Sequence, residues 1–155
     1  MRCFEKVSLD EFKKYYDESL YDFNLPSRST KRSAGYDFFA PSDFIIKKGE
    51  CIKIPTCVKA SMEERDVLYL YIRSSYAIKY GLVLKNNVGV IDSDYYNNID
   101  NDGHFYFQYF NFLDHDLEVK KGDIIGQVIF MKYLMTDDDK ATGVRVGGFG
   151  STDKK

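Results

Sequence analysis

From residue 36 to residue 133 the chain is a series of short β-rich runs, each closed by a turn signal. Residues 36–40 are aromatic. Phe44-Ile45-Ile46 runs into Lys47-Lys48-Gly49-Glu50, a turn, and residues 51–58 follow, interrupted by Pro55. Residues 67–72 are strand-like. Two apolar runs, 81–84 and 88–91, flank Lys85-Asn86-Asn87, which reads as a hairpin tip. Residues 104–112 are nearly all aromatic. A second turn, Lys120-Lys121-Gly122-Asp123, precedes residues 124–133. Many short strands at this spacing predict an all-β sandwich, barrel or jelly roll.

The N-terminal part differs. Ser8-Leu9-Asp10-Glu11 has the form of a capping box, with Ser8 as N-cap and Glu11 at N3. Phe12, Tyr15, Tyr16 and Leu20 then recur at helical spacing, predicting a helix that Leu25-Pro26-Ser27 ends. Residues 28–33 read as a basic loop. At the other end, Asp137-Asp138-Asp139 reads as a solvated linker, and residues 143–155 as a glycine-rich arm. The 155 residues fit one domain. Its expected layout is an N-terminal extension over 1–30, a β core over 31–134, and a linker and flexible arm over 135–155.

A 44% apolar and 16% aromatic content is enough to fill a core. The net charge of -2 argues against a duplex nucleic-acid partner, which demands a basic face. Cys3, Cys51 and Cys57 form no C-x-x-C pair and read as buried free thiols, an odd set that points to the cytoplasm. No apolar run approaches a membrane span.

Several constellations carry possible chemistry. Arg73-Ser74-Ser75 offers a guanidinium and hydroxyls to an anion, or is a strand-end turn. Asp92 and Asp94 suit water activation or a metal, or simply close a strand. Gly147-Gly148-Phe149-Gly150-Ser151-Thr152 could wrap phosphate with its backbone, yet it is no P-loop. The aromatic run at 104–112 is core, subunit interface or a base-stacking surface.

Taken in order, the pieces are Ala34-Gly35-Tyr36-Asp37, Arg73-Ser74-Ser75, Asn86 with Gly89-Val90-Ile91-Asp92-Ser93-Asp94-Tyr95, Gly122-Asp123-Ile124-Ile125-Gly126-Gln127, and the glycine-rich tail. This order resembles the five motifs of the trimeric dUTP pyrophosphatases, the dUTPases. The resemblance spans about residues 33 to 152. It implies a jelly-roll (β-clip) homotrimer with shared active sites. The implied reaction is hydrolysis of dUTP with Mg²⁺ to dUMP and pyrophosphate, which keeps uracil out of DNA and supplies dUMP for thymidylate synthesis.

The resemblance also assigns roles. Asp92 would activate the water that attacks the α-phosphorus. Tyr95 would lie against the deoxyribose and exclude a 2′-hydroxyl. Asn86 and the backbone of Gly89, Val90 and Ile91 would read the uracil edge. Arg73, Ser74, Ser75 and Gln127 would hold phosphates, and Asp37 would act through the water shell of Mg²⁺. From the arm, Arg145, Gly150, Ser151 and Thr152 would bind phosphates and Phe149 would cover the base. The sequence departs from the pattern at Ile72 and Ser75, where proline and glycine are usual. Tyr96-Asn97-Asn98 and a turn near 100–103 replace the usual continuation of the third motif. Val144 stands at the usual arm arginine, with Arg145 one residue later.

Two rival readings keep the fold. A dCTP deaminase needs a glutamate about ten residues beyond Asp92; none lies between Glu64 and Glu118, and Asp102 is the only acidic stand-in at that distance. The other rival is a nucleotide-sensing partner of a regulator.

Overall fold

The computed structural model describes residues 1–145, 147 and 148. Eleven strands are described: β1 (Cys3–Lys6), β2 (Tyr36–Phe39), β3 (Phe44–Ile46), β4 (Cys51–Pro55), β5 (Val58–Ser61), β6 (Asp66–Tyr71), β7 (Leu82–Leu84), β8 (Gly89–Asp92), β9 (Tyr106–Asn111), β10 (Leu117–Val119) and β11 (Ile124–Lys132). One helical turn, α1, covers Leu9–Phe12. The strands form a four-stranded sheet in the order β2-β11-β6-β8 and a three-stranded sheet β4-β9-β7. Two smaller pairs, β1-β5 and β10-β3, complete an all-β jelly-roll-like fold. Every pairing is antiparallel.

The two larger sheets face each other across one core. Strand residues alternate sides, so Leu68 and Leu70 of β6 point inward while Tyr69 and Tyr71 point out. From β9, Phe107 and Tyr109 are fully buried, their rings stacked 6.0 Å apart; Phe38 meets Phe107 edge-on at 5.6 Å. Each such phenylalanine contributes roughly 1.5–3 kcal/mol of transfer free energy. Gly126 makes this packing possible: a Cβ there would fall inside the Phe107 ring. The aromatic run is therefore core on one face, while Phe112 stays exposed.

The structure corrects several expectations. The runs around Lys85-Asn86-Asn87 are not a paired hairpin. Asn87 makes the turn at φ +57°, but β7 pairs with β9 and β8 with β6. Each finds a six-residue partner, and the turn carries the chain between sheets. The N-terminal stripe is not one long helix. Ser8 caps α1 by accepting from Glu11 N–H at 3.3 Å, but Glu11 does not return the bond, and Ser8 N–H donates to Asp102 at 2.6 Å. Tyr16 leaves the helix to bond Pro55 O at 3.1 Å. The stripe still buries: Phe12 joins Val7 and Cys57, with Tyr16 and Leu20 against them. One turn of helix is too short to stand on propensity, so tertiary contacts decide its length. β1 and β10 were not expected. All three thiols are free, but only Cys57 is buried; Cys3 is half-buried and Cys51 exposed, because it faces out from β4.

Candidate active site

One row of the four-stranded sheet collects three of the expected groups. Asp37 on β2 lies opposite Gln127 on β11, and Gln127 opposite Tyr71 on β6. Residues directly opposite share a face. Arg73 follows Tyr71 by two residues and reaches back, its Nε 3.6 Å from Asp37 Oδ1. Asp37 is buried and accepts from Ser29 Oγ at 2.5 Å. Gly35 lets the Gln127 amide lie against the backbone, since a Cβ there would collide with Oε1. Ser74 leads into a π-helical turn at Ser75–Lys79 in place of the expected simple turn. Beside it is a cavity of about 370 Å³ lined by Arg73, Ser75, Lys79 and Asp123. Lys79 was missed in the sequence; its signal was a second cation just after Arg73-Ser74-Ser75.

A second cluster gathers at the far end of β8. Gly89 and Ile91 face the core, and Val90 and Asp92 face out. Asp92 closes the strand and leads into a 3-10 turn at Ser93–Tyr95. Arg145 bridges both carboxylates: a terminal nitrogen lies 2.5 Å from Asp92 Oδ2, and Nε donates to Asp94 Oδ1 at 2.8 Å. Burial alone would lower the Arg145 pKa; the Asp94 bond and the charges of Asp94 and Asp92 outweigh it and raise it. The Arg145 guanidinium carbon lies 5.7 Å from the Tyr95 ring centroid. Tyr95 is buried, its hydroxyl donating to His104 O at 3.1 Å and accepting from Asn101 Nδ2 at 2.7 Å. Burial pushes its pKa up.

Asn86 lines a cavity of about 290 Å³ with Lys53, Tyr106 and Gln108. These three were not foreseen, because they come from β4 and the start and middle of β9. Gly89 admits no side chain: its Cβ would sit 2.9 Å from Leu70 Cβ and 3.4 Å from Asn86 Nδ2. Glycine is thus required there by the packing of β8 on Leu70. The arm's Gly148 N–H donates to Asp100 Oδ2 at 2.8 Å. Phe149, Gly150, Ser151 and Thr152 lie outside the described residues.

Within one chain the two clusters do not meet. Asp92 opposes Val67 on β6, and Gln127 opposes Tyr71. Four residues along a strand and two strand spacings across make roughly 16 Å. Among the described residues no three His, Cys, Asp or Glu gather as a metal site.

The profile of the dUTPase family matches residues 21–153. The chain belongs to the dUTPase family. It is 50% identical over 131 residues to the deoxyuridine 5'-triphosphate nucleotidohydrolase of Lactococcus lactis, covering 83% of this chain and 87% of that one. Identity to the same enzyme of Desulfitobacterium hafniense is 37% over 136 residues, covering 83% and 86%. The crystal structure of dUTPase from Streptococcus mutans superposes with a TM-score of 0.73 at 42% identity, covering 86% of this chain and 98% of that one. As a dUTPase the chain is a dUTP diphosphatase, hydrolysing dUTP to dUMP and pyrophosphate. The deaminase alternative has no support in the dUTPase site. Asp102 is ion-paired to Lys59 at 2.9 Å and accepts from Ser8 N–H. Both contacts are structural.

Proposed function

We propose that this dUTPase works as a homotrimer whose active site is divided between subunits. One subunit supplies Asp92, Tyr95, Asn86 and the backbone of Gly89, Val90 and Ile91. Another supplies Arg73, Ser74, Ser75, Gln127 and Asp37. The observation that carries this reading is the outer face of the four-stranded sheet. Between Asp92 and Gln127 it presents Tyr69, Val90, Ile129 and Met131, with Val90 58% and Met131 49% exposed. An apolar strip joining two halves of a polar site is what a symmetric neighbour would cover.

In this reading Asp92 removes a proton from the water that attacks the α-phosphorus, and pyrophosphate leaves. A base must lie within a hydrogen bond of the proton it takes. The phosphates therefore have to be brought to Asp92 from the partner's Arg73 row. Asn86 and the Gly89 backbone read the uracil edge, with Lys53 and Gln108 around the same cavity. Tyr95 stands against the sugar. Arg145 exchanges its two carboxylates for phosphate oxygens, and Phe149, Gly150, Ser151 and Thr152 complete the cover.

The donor set suits Mg²⁺ carried by the triphosphate rather than a protein cage. Asp37 offers one carboxylate, with Oδ2 held by Ser29 and Oδ1 near Arg73, which fits contact through a metal-bound water. When bound, Mg²⁺ neutralises phosphate charge. Free thiols at Cys3, Cys51 and Cys57 support a cytoplasmic setting. No helix among the described residues is long and apolar enough to cross a membrane. The same reading divides the chain into an extension over 1–30, a β core over 31–134 and a linker and arm over 135–155; the pairing of β1 with β5 supports an extension packed onto the core.

Mixing two inactive variants tests the shared site. Asp92→Asn and Arg73→Ala are unfolded together, refolded and assayed for pyrophosphate from dUTP with Mg²⁺. Random reassembly should restore about a quarter of wild-type activity, since that share of shared sites draws both intact residues from different subunits. A mixture as inactive as its parents sinks the divided site.

A further inference from the structure

The N-terminal segment puts a carboxylate in the interior. Glu11 is 3% exposed and His104, which it meets, is 0% exposed. His104 Nε2 accepts from the backbone N–H of Cys57 at 2.8 Å. Nδ1 therefore carries the proton and donates it to Glu11 Oε1 at 2.9 Å. Tyr106 also donates to Oε1, at 3.2 Å, and Lys14 holds Oε2 at 2.6 Å. Glu11 lies outside the segment that the dUTPase profile matches, which begins at residue 21.

The imidazole is locked on both nitrogens, and this locks the backbone of the same residue. His104 O is the acceptor for the Tyr95 hydroxyl. Asn101 Nδ2 donates to that hydroxyl, and His104 N–H donates to Asn101 O at 3.0 Å. The next residue, Phe105, stacks under the Tyr95 ring at 6.4 Å. Gly103, at φ +78°, packs so tightly beneath this turn that a Cβ would come within 3.0 Å of Tyr95 O. The turn is thus a rigid bracket with Tyr95 on one side and Glu11 on the other.

We propose that Glu11 and His104 are positioning residues for Tyr95, holding its ring where it excludes a ribonucleotide. The proposal rests on the reading of Tyr95 as the wall against the sugar. Rejecting a 2′-hydroxyl by steric contact requires the wall to stay in place, and a ring free to swing by about 1 Å loses much of its selectivity. The N-terminal segment is then part of the enzyme's substrate discrimination, although neither residue touches substrate.

The test is the ratio of kcat/KM for dUTP to that for UTP. Glu11→Leu fills the space but removes the acceptor of the His104 proton. Asn101→Ala removes the donor to the Tyr95 hydroxyl itself and shows what freeing that ring does to the ratio; His104→Phe, which fills the ring's place but loses both its bonds, decides the question should Glu11→Leu not fold. Glu11→Gln keeps an acceptor oxygen. Thermal melting establishes which variants are folded at the assay temperature. Glu11→Leu, His104→Phe and Asn101→Ala should each lower the ratio by about tenfold or more, with KM for UTP falling more than kcat for dUTP. Glu11→Gln should restore the wild-type ratio. Tyr95→Ala should lower it furthest. Folded Glu11→Leu or His104→Phe protein that keeps the ratio within about twofold, while Tyr95→Ala collapses it, overturns the positioning role. A ratio unmoved by Tyr95→Ala overturns instead the sugar-wall reading on which it rests.

Discussion

Replacing Asp92 by asparagine should separate catalysis from folding. Asp92 sits at the outer end of β8, and its side chain is 52% exposed. Asparagine has the same shape and still accepts from Arg145, so what folding loses is the charge in one surface ion pair. Such pairs contribute about 0–1 kcal/mol. In the proposed mechanism the reaction loses its base. Positioned proton acceptors contribute typically about 10²–10⁴-fold, which is roughly 2.7–5.5 kcal/mol of barrier. The rate effect should therefore exceed the stability effect several-fold. Pyrophosphate release at saturating dUTP and Mg²⁺ measures the first, urea unfolding the second, and calorimetric titration with dUMP shows whether the pocket survives. Turnover within about tenfold of wild type would remove Asp92 from the proton transfer. A loss of dUMP binding equal to the loss of rate would make it a binding residue instead.

Four other outcomes are expected. Gly126→Ala would drive a methyl into the Phe107 ring and should cost about 1–3 kcal/mol in urea unfolding; no change would mean the core repacks freely. Burial pushes His104 down to about 4 against the pull of Glu11. Glu11 is itself held low: burial raises it, and Lys14 and His104 outweigh that. Between about pH 6.5 and pH 4 the unfolded chain binds a proton at His104 that the native chain refuses, so stability is present above 6.5 and falls with acid, approaching about 1.4 kcal/mol per pH unit for one proton. Urea midpoints across that window check the sign, and His104→Phe should flatten the slope. Incubation with dCTP should release no ammonia, because Asp102 is committed to Lys59 and Ser8; ammonia detection by a coupled assay would show otherwise. Removing residues 147–155 should collapse dUTP turnover while weakening dUMP binding far less, since dUMP lacks the outer phosphates; full activity in the shortened protein would remove the arm from the site.

What could be read in the sequence, and what could not, follows the range of the interactions. The strands with strong aromatic or β-branched runs, such as β2, β6 and β11, were visible because pattern and burial agree over several residues. β10 has three residues, too few to establish a period, and β1 carries Glu5 and Lys6, so only its pairing with β5 makes it a strand. The hairpin error has the same origin. Asn86-Asn87 correctly signalled a turn, but a turn does not say whether its flanks pair with each other. At the candidate site, Asp92, Arg73 and Gln127 were named from motif order alone. Lys53 and Gln108 were not named, since only the registers of β4 and β7 on β9 bring them to Asn86. The Glu11–His104 contact joins residues 93 apart and leaves no local trace.

The turn at Asn86 and Asn87 spans the gap between the two main sheets, one flank sewn to β9 and the other to β6. A base seated against Asn86 and Gly89 would therefore press on a seam rather than on a wall. Any slip of one sheet over the other would open or shut that seat, and a well-fitted base would resist the slip. On the proposed reading, nucleotide occupancy would act as a mechanical fastener between the two sheets. The substrate that the enzyme destroys would be, for the length of each encounter, part of what holds the enzyme in register.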